Sequence, residues 1–212
     1  LLNDGKSLVV SNIIDLLDGT PYESPMKPCG GVEQLAWSPD GNTIAYTCRK
    51  KSGLDYAVST NSDIYLYNLG TGTHTNLTEG NMGYDTNPSY SPNGEYIAWQ
   101  SMERDGYESD ENRLMICHLA TGEQQFLTQG METNVDSYYW KDNSSLVFSA
   151  VWHGCSMLYE VQFSTSEHLN SSTPNLKTLT SGQYDYVPGG NIDSTYYCLR
   201  HSMREANEIF RF

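Results

Sequence analysis

The chain has 212 residues, a length that fits one large domain or two small ones. Its net charge of −14 argues against a nucleic-acid partner, because a phosphate backbone favours a basic surface. Aromatic residues make up 12% of the sequence, which argues against intrinsic disorder, and no apolar run reaches the ~18 residues of a membrane helix.

Three similar stretches recur along the chain. They read LAWSPDGNTIAYT (35–47), PSYSPNGEYIAWQ (88–100) and YYWKDNSSLVFSA (138–150). They share one aromatic position, with spacings of 53 and 50 residues, at Trp37, Tyr90 and Trp140. Each unit then closes on a Leu-Thr pair, at 77–78, 127–128 and 179–180. Independent landmarks with one common period predict a repeated structural unit.

Each unit is predicted to form four short β-strands. Apolar runs such as IAY (44–46) and IAW (97–99) are typical of strands that are buried on both faces. The segments SPDG (38–41) and SPNG (91–94) predict tight turns, because Pro fixes φ, Asp or Asn bonds its own backbone, and Gly accepts a positive φ. Four-stranded units that repeat every ~40–50 residues predict an all-β fold of the β-propeller type, with little helix.

The repeat predicts a β-propeller portion of about four four-stranded blades, three of them complete, with partial blades at both ends. The predicted units are approximately 1–30 (partial), 31–80, 81–130, 131–180 and 181–212 (partial). Residues 8–19 align with the later half of a unit, and two strands of a further blade are predicted at 194–199 and 207–212. A portion of a longer propeller and a closed four-blade ring both fit this pattern. We favour the longer propeller, because Phe212 lies inside an apparent strand.

Four segments carry a resemblance to a known family: WSPDG (37–41), STNSDIY (59–65), YDTNP (84–88) and SMERDGYES (101–109). They resemble the propeller of the prolyl oligopeptidase family of serine peptidases, in its bacterial dipeptidyl-peptidase and acylaminoacyl-peptidase branch. The resemblance covers roughly residues 20–180. The first segment also occurs in TolB-like propellers, and the last one is the most specific.

The resemblance implies an accessory role rather than catalysis. In that family the propeller caps an α/β-hydrolase domain, whose serine nucleophile lies in a Gly-x-Ser-x-Gly motif. This chain contains no such motif, so we expect no peptide hydrolysis by the chain alone. The resemblance implies that the propeller restricts access to the active site and helps to bind the amino terminus of a peptide substrate. The implied partner is the hydrolase domain of the same parent chain, and the implied location is periplasmic or secreted, with a cytoplasmic one left open.

The candidate substrate-binding residues come from a dense charged cluster and from one aromatic residue. They are Glu103, Arg104, Asp105, Tyr107, Glu108 and Trp152. The cluster falls in the predicted connection between the second and third strands of a blade, and loops on a rigid scaffold often carry function. Its carboxylates would pair with a substrate ammonium group. The alternative is a solvated loop with a local charge pair worth ~0–1 kcal/mol.

Two further places are equivalent to this connection in the neighbouring units. Trp152 is interpreted either as a substrate contact or as a packed aromatic residue. The connection that begins with Arg49, Lys50 and Lys51 is interpreted as an exposed loop.

Neither a metal site nor a cofactor is predicted. The five histidines never fall at metal-ligand spacing, and the five cysteines form no C-x-x-C pair and are odd in number. The cysteines are therefore interpreted as free, mostly buried thiols.

Two alternative functions are weighed beside the peptidase propeller. One is a stand-alone TolB-like propeller that binds another protein, and the weaker one is a small propeller enzyme that acts on glycans. If the terminal blades expose unpaired strand edges, two copies of the chain could pair as a homodimer with about eight blades.

Overall fold

The computed structural model describes residues 13–165 and 168–212, and within them the fold is all-β. It contains four antiparallel sheets, three of four strands and one of three. The first two sheets are formed by β1 (Leu35–Trp37), β2 (Thr43–Cys48), β3 (Asp63–Asn68), β4 (Thr73–Asn76), β5 (Asp85–Tyr90), β6 (Tyr96–Ser101), β7 (Arg113–His118) and β8 (Gln124–Phe126). The other two are formed by β9 (Val135–Trp140), β10 (Ser145–Trp152), β11 (Cys155–Gln162), β12 (Asn175–Thr178), β13 (Asp185–Ile192), β14 (Thr195–Ser202) and β15 (Glu205–Arg211).

Strands that are consecutive in sequence are neighbours in every sheet, so each sheet is a simple meander. In the part of the chain that the structure describes, helix is limited to one short α-helix, α1 (Gly53–Val58), and to two 3₁₀ turns at Val32–Gln34 and Leu169–Ser171. The predicted fold class, a propeller-like array of blades with little helix, is confirmed.

The ends of the chain differ in detail from the prediction. The last sheet has three strands rather than the two that were predicted, because β13 was missed. This strand contains Pro188, Gly189 and Gly190, and its register shifts between Pro188 and Gly190. Both residue types are depleted in strands, which concealed it. Of the predicted partial unit at 8–19, residues 8–12 lie outside the described residues, and residues 16–19 form a turn rather than a strand.

The predicted turns form as their sequences require. Ser38 Oγ donates a hydrogen bond of 2.6 Å to Asp40 Oδ1, and the Gly41 N–H donates one of 2.9 Å to the Ser38 carbonyl. Gly41 has φ +71°, which suits glycine. The same hydrogen bonds recur in the second unit, where Ser91 and Gly94 take these places.

The Leu-Thr pairs close the fourth strand of each blade onto the third. In the second blade the Leu127 N–H donates to the Leu114 carbonyl (2.9 Å), and Thr128 Oγ1 accepts the Leu114 N–H (3.2 Å). Thr78 and Thr180 make the equivalent bonds in the first and third blades. A buried backbone N–H needs a partner, so this hydroxyl is a structural requirement that repeats with the blade.

The core lies between the sheets. In β10, Leu146, Val147 and Phe148 are all fully buried, as expected for a strand covered on both faces. The largest apolar cluster joins the second, third and fourth sheets, and a smaller one joins the first to the second.

Polar bonds also cross between the sheets. Trp140 Nε1 donates to the Ser89 carbonyl (3.0 Å), and Gln100 Nε2 donates to the Val135 carbonyl (2.6 Å). The sheets are therefore stacked in a defined orientation, not merely pressed together by apolar contact.

Candidate functional site

The candidate residues lie at one end of the stacked sheets, which we call the connection end. In a meander the links between second and third strands, and those from one sheet to the next, emerge at the same end. The long links there are the 49–62 connection, between β2 and β3, and the 102–112 connection, between β6 and β7. They contain all the candidate residues except Trp152.

Asp105 fastens the two connections together. Its Oδ1 accepts hydrogen bonds from Ser59 Oγ (2.7 Å) and from the N–H groups of Thr60 (2.8 Å) and Asn61 (3.2 Å). In return the Gly106 N–H donates to Thr60 Oγ1 (2.9 Å). The Ser59 hydrogen bond lowers the pKa of Asp105, with the two backbone donors assisting. Oxygen Oδ1 is therefore engaged within the chain, and its task is to hold two loops in one arrangement.

Arg104 and Asp110 shape the 102–112 connection from within. Arg104 donates to Asp110 through Nη2 (2.8 Å) and Nε (3.3 Å), and its guanidinium lies 4.0 Å from the ring centre of Tyr107. The backbone N–H groups of Glu103 and Arg104 also donate to Asp110 Oδ2. The Arg104 side chain holds the pKa of Asp110 well below its usual range. Arg104 and Tyr107 thus order the loop on which the other candidates stand.

Glu103 and Glu108 are the carboxylates that this framework leaves exposed. Glu103 is 74% exposed and lies 3.4 Å from Arg113 Nη1. Glu108 is exposed, and it makes no hydrogen bond or ion pair with any residue that the structure describes. Of the predicted carboxylates, Glu108 is the one best able to receive a cationic group.

Glu108 lines a cavity of about 230 Å³ between the two connections, together with Arg49, Thr60, Tyr84 and Met102. Arg49 Nη1 donates to the Tyr56 carbonyl (3.3 Å), and its buried Nε has no hydrogen-bond partner within residues 13–165 and 168–212. Burial raises the pKa of Tyr84, which keeps its hydroxyl neutral. The cavity therefore combines a carboxylate acceptor, a guanidinium donor and a phenol.

The contribution of Arg49 and Tyr84 to this cavity is not apparent from the sequence. Arg49 was interpreted as part of an exposed loop, and Tyr84 was noted only within the resemblance. The available signal was the equivalence of the two connections in neighbouring units. Neighbouring blades place equivalent loops side by side, so a residue at the start of one can face a residue in the middle of the next.

Trp152 lies apart from this cavity. It is the last residue of β10 and is 54% exposed. Its ring packs edge to face with that of His153, with 4.6 Å between the ring centres. The adjoining hairpin borders a wider cleft of about 740 Å³, whose other walls include Tyr184, Asp185 and Arg204. The structure thus groups the five candidates from the charged cluster and separates Trp152 from them.

The described residues contain no group of three or more His, Cys, Asp or Glu side chains that could hold a metal ion. Within the same residues no helix is long and apolar enough to cross a membrane.

No protein-family model matches the chain. The chain is 43% identical over 198 residues to dipeptidyl-peptidase 5 of Porphyromonas gingivalis, and 47% identical over 198 residues to dipeptidyl-peptidase 5 of Porphyromonas endodontalis. Each match covers 93% of this chain and 28% of the relative. These relatives support the assignment of this chain as a propeller portion of the prolyl oligopeptidase family.

A solved structure shows the same fold. The puromycin-hydrolysing peptidase of Mycobacterium tuberculosis matches 84% of this chain and 29% of its own, with a TM-score of 0.59 and 16% identity. The chain is thus peptidase-related and spans little more than a quarter of the length of the curated relatives.

Proposed function

We propose that this chain is the non-catalytic propeller portion of a serine exopeptidase similar to the dipeptidyl and acylaminoacyl peptidases. It would restrict access to the active site and help to bind the amino terminus of a peptide. Its partners would be the α/β-hydrolase domain of the same polypeptide and the peptide substrate. The observation that supports amino-terminal binding most directly is the Glu108 carboxylate, which lines the cavity at the connection end and has no partner among the described residues.

The chemistry of the cavity suits a peptide terminus. A substrate ammonium can donate charge-assisted hydrogen bonds to Glu108, and such bonds are stronger than neutral ones. Arg49 lies on the same cavity, where its guanidinium group can donate to a peptide carbonyl oxygen. The Asp105 clamp fixes the connections before substrate arrives, which reduces the entropy lost on binding.

The connection end also supplies apolar surface for a partner domain. Leu54 and Val58 lie one turn apart on α1, and both are exposed. Tyr107, in the 102–112 connection, is also exposed. Its neighbour Gly106 lies close to the Val58 carbonyl oxygen, so Tyr107 and α1 are near each other. We propose that this end faces the hydrolase domain, so that the clamped connections border the route of the substrate.

The test compares two isosteric variants of the natural protein. Glu108→Gln keeps the shape of the side chain and removes its charge, while Glu103→Gln does the same for a carboxylate outside the cavity. We expect Glu108→Gln to raise KM about tenfold or more for peptides with a free amino terminus, the size expected for a hydrogen bond to a charged group. Peptides with an acetylated amino terminus should be unaffected, and Glu103→Gln should change KM less than about twofold.

Two results would contradict the proposal. If Glu108→Gln raised KM equally for free and acetylated peptides, Glu108 would not bind the substrate ammonium group. If Glu108→Gln and Glu103→Gln raised KM equally, the total negative charge of the loop would affect substrate binding and the position of Glu108 in the cavity would not.

A further inference from the structure

A second recess at the connection end repeats the framework of the cavity lined by Glu108. It is the cleft of about 740 Å³ beside Trp152, and we call it the hairpin cleft. The Glu108 cavity lies between the first and second sheets, and the hairpin cleft lies between the third and fourth. Tyr84 lines the cavity and Tyr184 lines the cleft, and each directly precedes the first strand of a sheet. The two tyrosines are 100 positions apart, which is two periods of the repeat.

Two further positions of the repeat line both recesses. Arg49 in the cavity and His153 in the cleft each directly follow the second strand of the earlier sheet. Met102 and Met203 follow the second strand of the later sheet in the same way. Stacked repeats place equivalent loops side by side, so the repeat itself explains these shared positions. The hairpin cleft is therefore a second form of the candidate binding site rather than an incidental gap.

The two recesses differ in the length of their loops and in the charge that they present. The connection between β6 and β7 has eleven residues, 102–112, and within it Arg104 donates to Asp110. The link between β14 and β15 has only two, 203–204, so no long loop folds back over Arg204. Arg204 is exposed and lines the cleft, and its side chain makes no hydrogen bond or ion pair with any residue in 13–165 and 168–212. Among the described residues, the first recess thus presents a carboxylate without a partner, and the second presents a guanidinium group without one.

The carboxylates of the hairpin cleft have partners within the chain. Asp185 Oδ1 accepts a backbone N–H from β11 (2.8 Å), and its Oδ2 lies 3.8 Å from His201 Nε2. Glu205 Oε2 lies 4.0 Å from Arg200 Nη2. Neither carboxylate is paired with Arg204, so the Arg204 guanidinium group is available to an anionic group of a ligand.

We propose that the hairpin cleft binds a carboxylate group of the peptide substrate and that Arg204 recognises this group. The proposal rests on the proposed function, in which Glu108 holds the substrate ammonium group. A guanidinium group can bind a carboxylate through two parallel N–H donors, and His153 lines the same cleft and can supply a further donor. The carboxylate is either the carboxyl terminus of the peptide or an acidic side chain. A peptide that lies along the connection end then meets a charge of opposite sign at each recess.

The stacking of the sheets sets the length of the peptide that reaches both recesses. The recesses are two sheets apart, and stacked sheets lie ~10 Å apart, which gives roughly 20 Å between them. An extended peptide advances ~3.3 Å per residue, so this distance corresponds to about six residues. A heptapeptide with its amino terminus at Glu108 can therefore place a carboxylate at Arg204, whereas a dipeptide derivative cannot.

The test measures KM of the natural protein for four heptapeptides with a free amino terminus. The reference peptide has glutamate at its sixth position and a free carboxyl terminus. In the second peptide glutamine replaces the glutamate, and in the third an amide replaces the carboxyl terminus. The fourth peptide carries both changes and so lacks both carboxylates. Cleavage near the amino terminus is followed by liquid chromatography.

We expect the fourth peptide to have a KM about two- to fivefold higher than the reference, the size expected for an exposed ion pair. The second and third peptides identify which carboxylate is the source. Arg204→Gln should bring the ratio of the two KM values close to one, and Arg204→Glu should reverse the preference. Arg211→Gln, which removes an exposed cation at the far end of β15, should leave the ratio unchanged. Far-UV circular dichroism confirms that each variant folds.

Three results would overturn the proposal. The first is an equal KM of the wild type for all four peptides, the second is a ratio that Arg204→Gln leaves unchanged, and the third is a ratio that Arg211→Gln abolishes as completely. Glu108→Gln separates this proposal from the proposed function. If it raises KM for free amino termini while Arg204→Gln leaves the ratio unchanged, only the role of the hairpin cleft is refuted. If neither variant has an effect, the proposed function fails as well.

Discussion

Replacing Thr128 with valine should destabilise the protein, although valine is the more apolar residue. Thr128 is 1% exposed, and its Oγ1 accepts the N–H of fully buried Leu114 at 3.2 Å. Valine keeps the shape and removes the acceptor. An unpaired buried N–H costs about 1–3 kcal/mol, while the extra methyl group returns about 0.8 kcal/mol. The net loss is therefore about 1 kcal/mol in the free energy of unfolding.

Thr47 is the matched control. It is fully buried in β2, and its hydroxyl has no hydrogen-bond partner in the described part of the chain. Thr47→Val removes an unpaired polar group and adds a methyl group, so it should stabilise the protein by about 1 kcal/mol. The two substitutions differ only in the role of the hydroxyl that is removed. The free energy of unfolding should therefore change in opposite directions.

The assay is urea unfolding, with thermal unfolding as a second measurement. The midpoint should fall for Thr128→Val and rise for Thr47→Val at constant m-value, which shows that stability and not compactness changed. The two variants should differ by roughly 4–8 °C in Tm for a chain of this size. If Thr128→Val is as stable as the wild type, the hydrogen bond from the Leu114 N–H to the threonine hydroxyl does not stabilise the blade. The recurrence of the Leu-Thr pair would then need another explanation.

Three further predictions concern charge and thiol chemistry. Lys141 Nζ lies 2.6 Å from Glu160 Oε1, so a double-mutant cycle of Lys141→Met and Glu160→Gln should give a coupling energy of about 1 kcal/mol; zero coupling would show that the pair is not formed in solution. Because its arginine partner lowers the pKa of Asp110, that carboxylate stabilises the fold above its unfolded pKa of about 4, and this contribution is lost as pH falls towards the folded pKa. Asp110→Asn should therefore flatten the fall in Tm on acidification, and an unchanged acid limb would contradict this. At pH 8 a disulfide reagent should modify exposed Cys29 rapidly, and buried Cys48, whose pKa burial raises to about 11, only on unfolding; fast modification of both would contradict the buried position.

Most of the fold could be predicted because its signals are local and repeat. The turns at 38–41 and 91–94 depend on residues within four positions of one another, so their chemistry is legible in the sequence. The missed strand, β13, shows the limit of this reasoning. Pro188 and two glycines weaken its strand pattern, but pairing along β14 holds the segment extended. Tertiary pairing thus overrides local propensity.

The candidate site could be predicted only in part. Its charged cluster is evident from the composition of the 102–112 connection. The role of each residue in it, however, depends on which residues of the 49–62 connection lie opposite. Asp105 became a clamp because Ser59, 46 positions earlier, comes within 2.7 Å of it. Glu108 faces a cavity because Arg49 comes from the neighbouring blade. Nothing in the loop sequence distinguishes the engaged carboxylate from the unpaired one.

The sequence by itself determined the blade, because a period near 50 residues, turn chemistry and short apolar runs can be read directly from the sequence. Only the tertiary structure decided which loops meet and which carboxylates are consumed by the scaffold. Those outcomes depend on distances between residues about 50 positions apart, and such distances are set by the stacking of whole sheets.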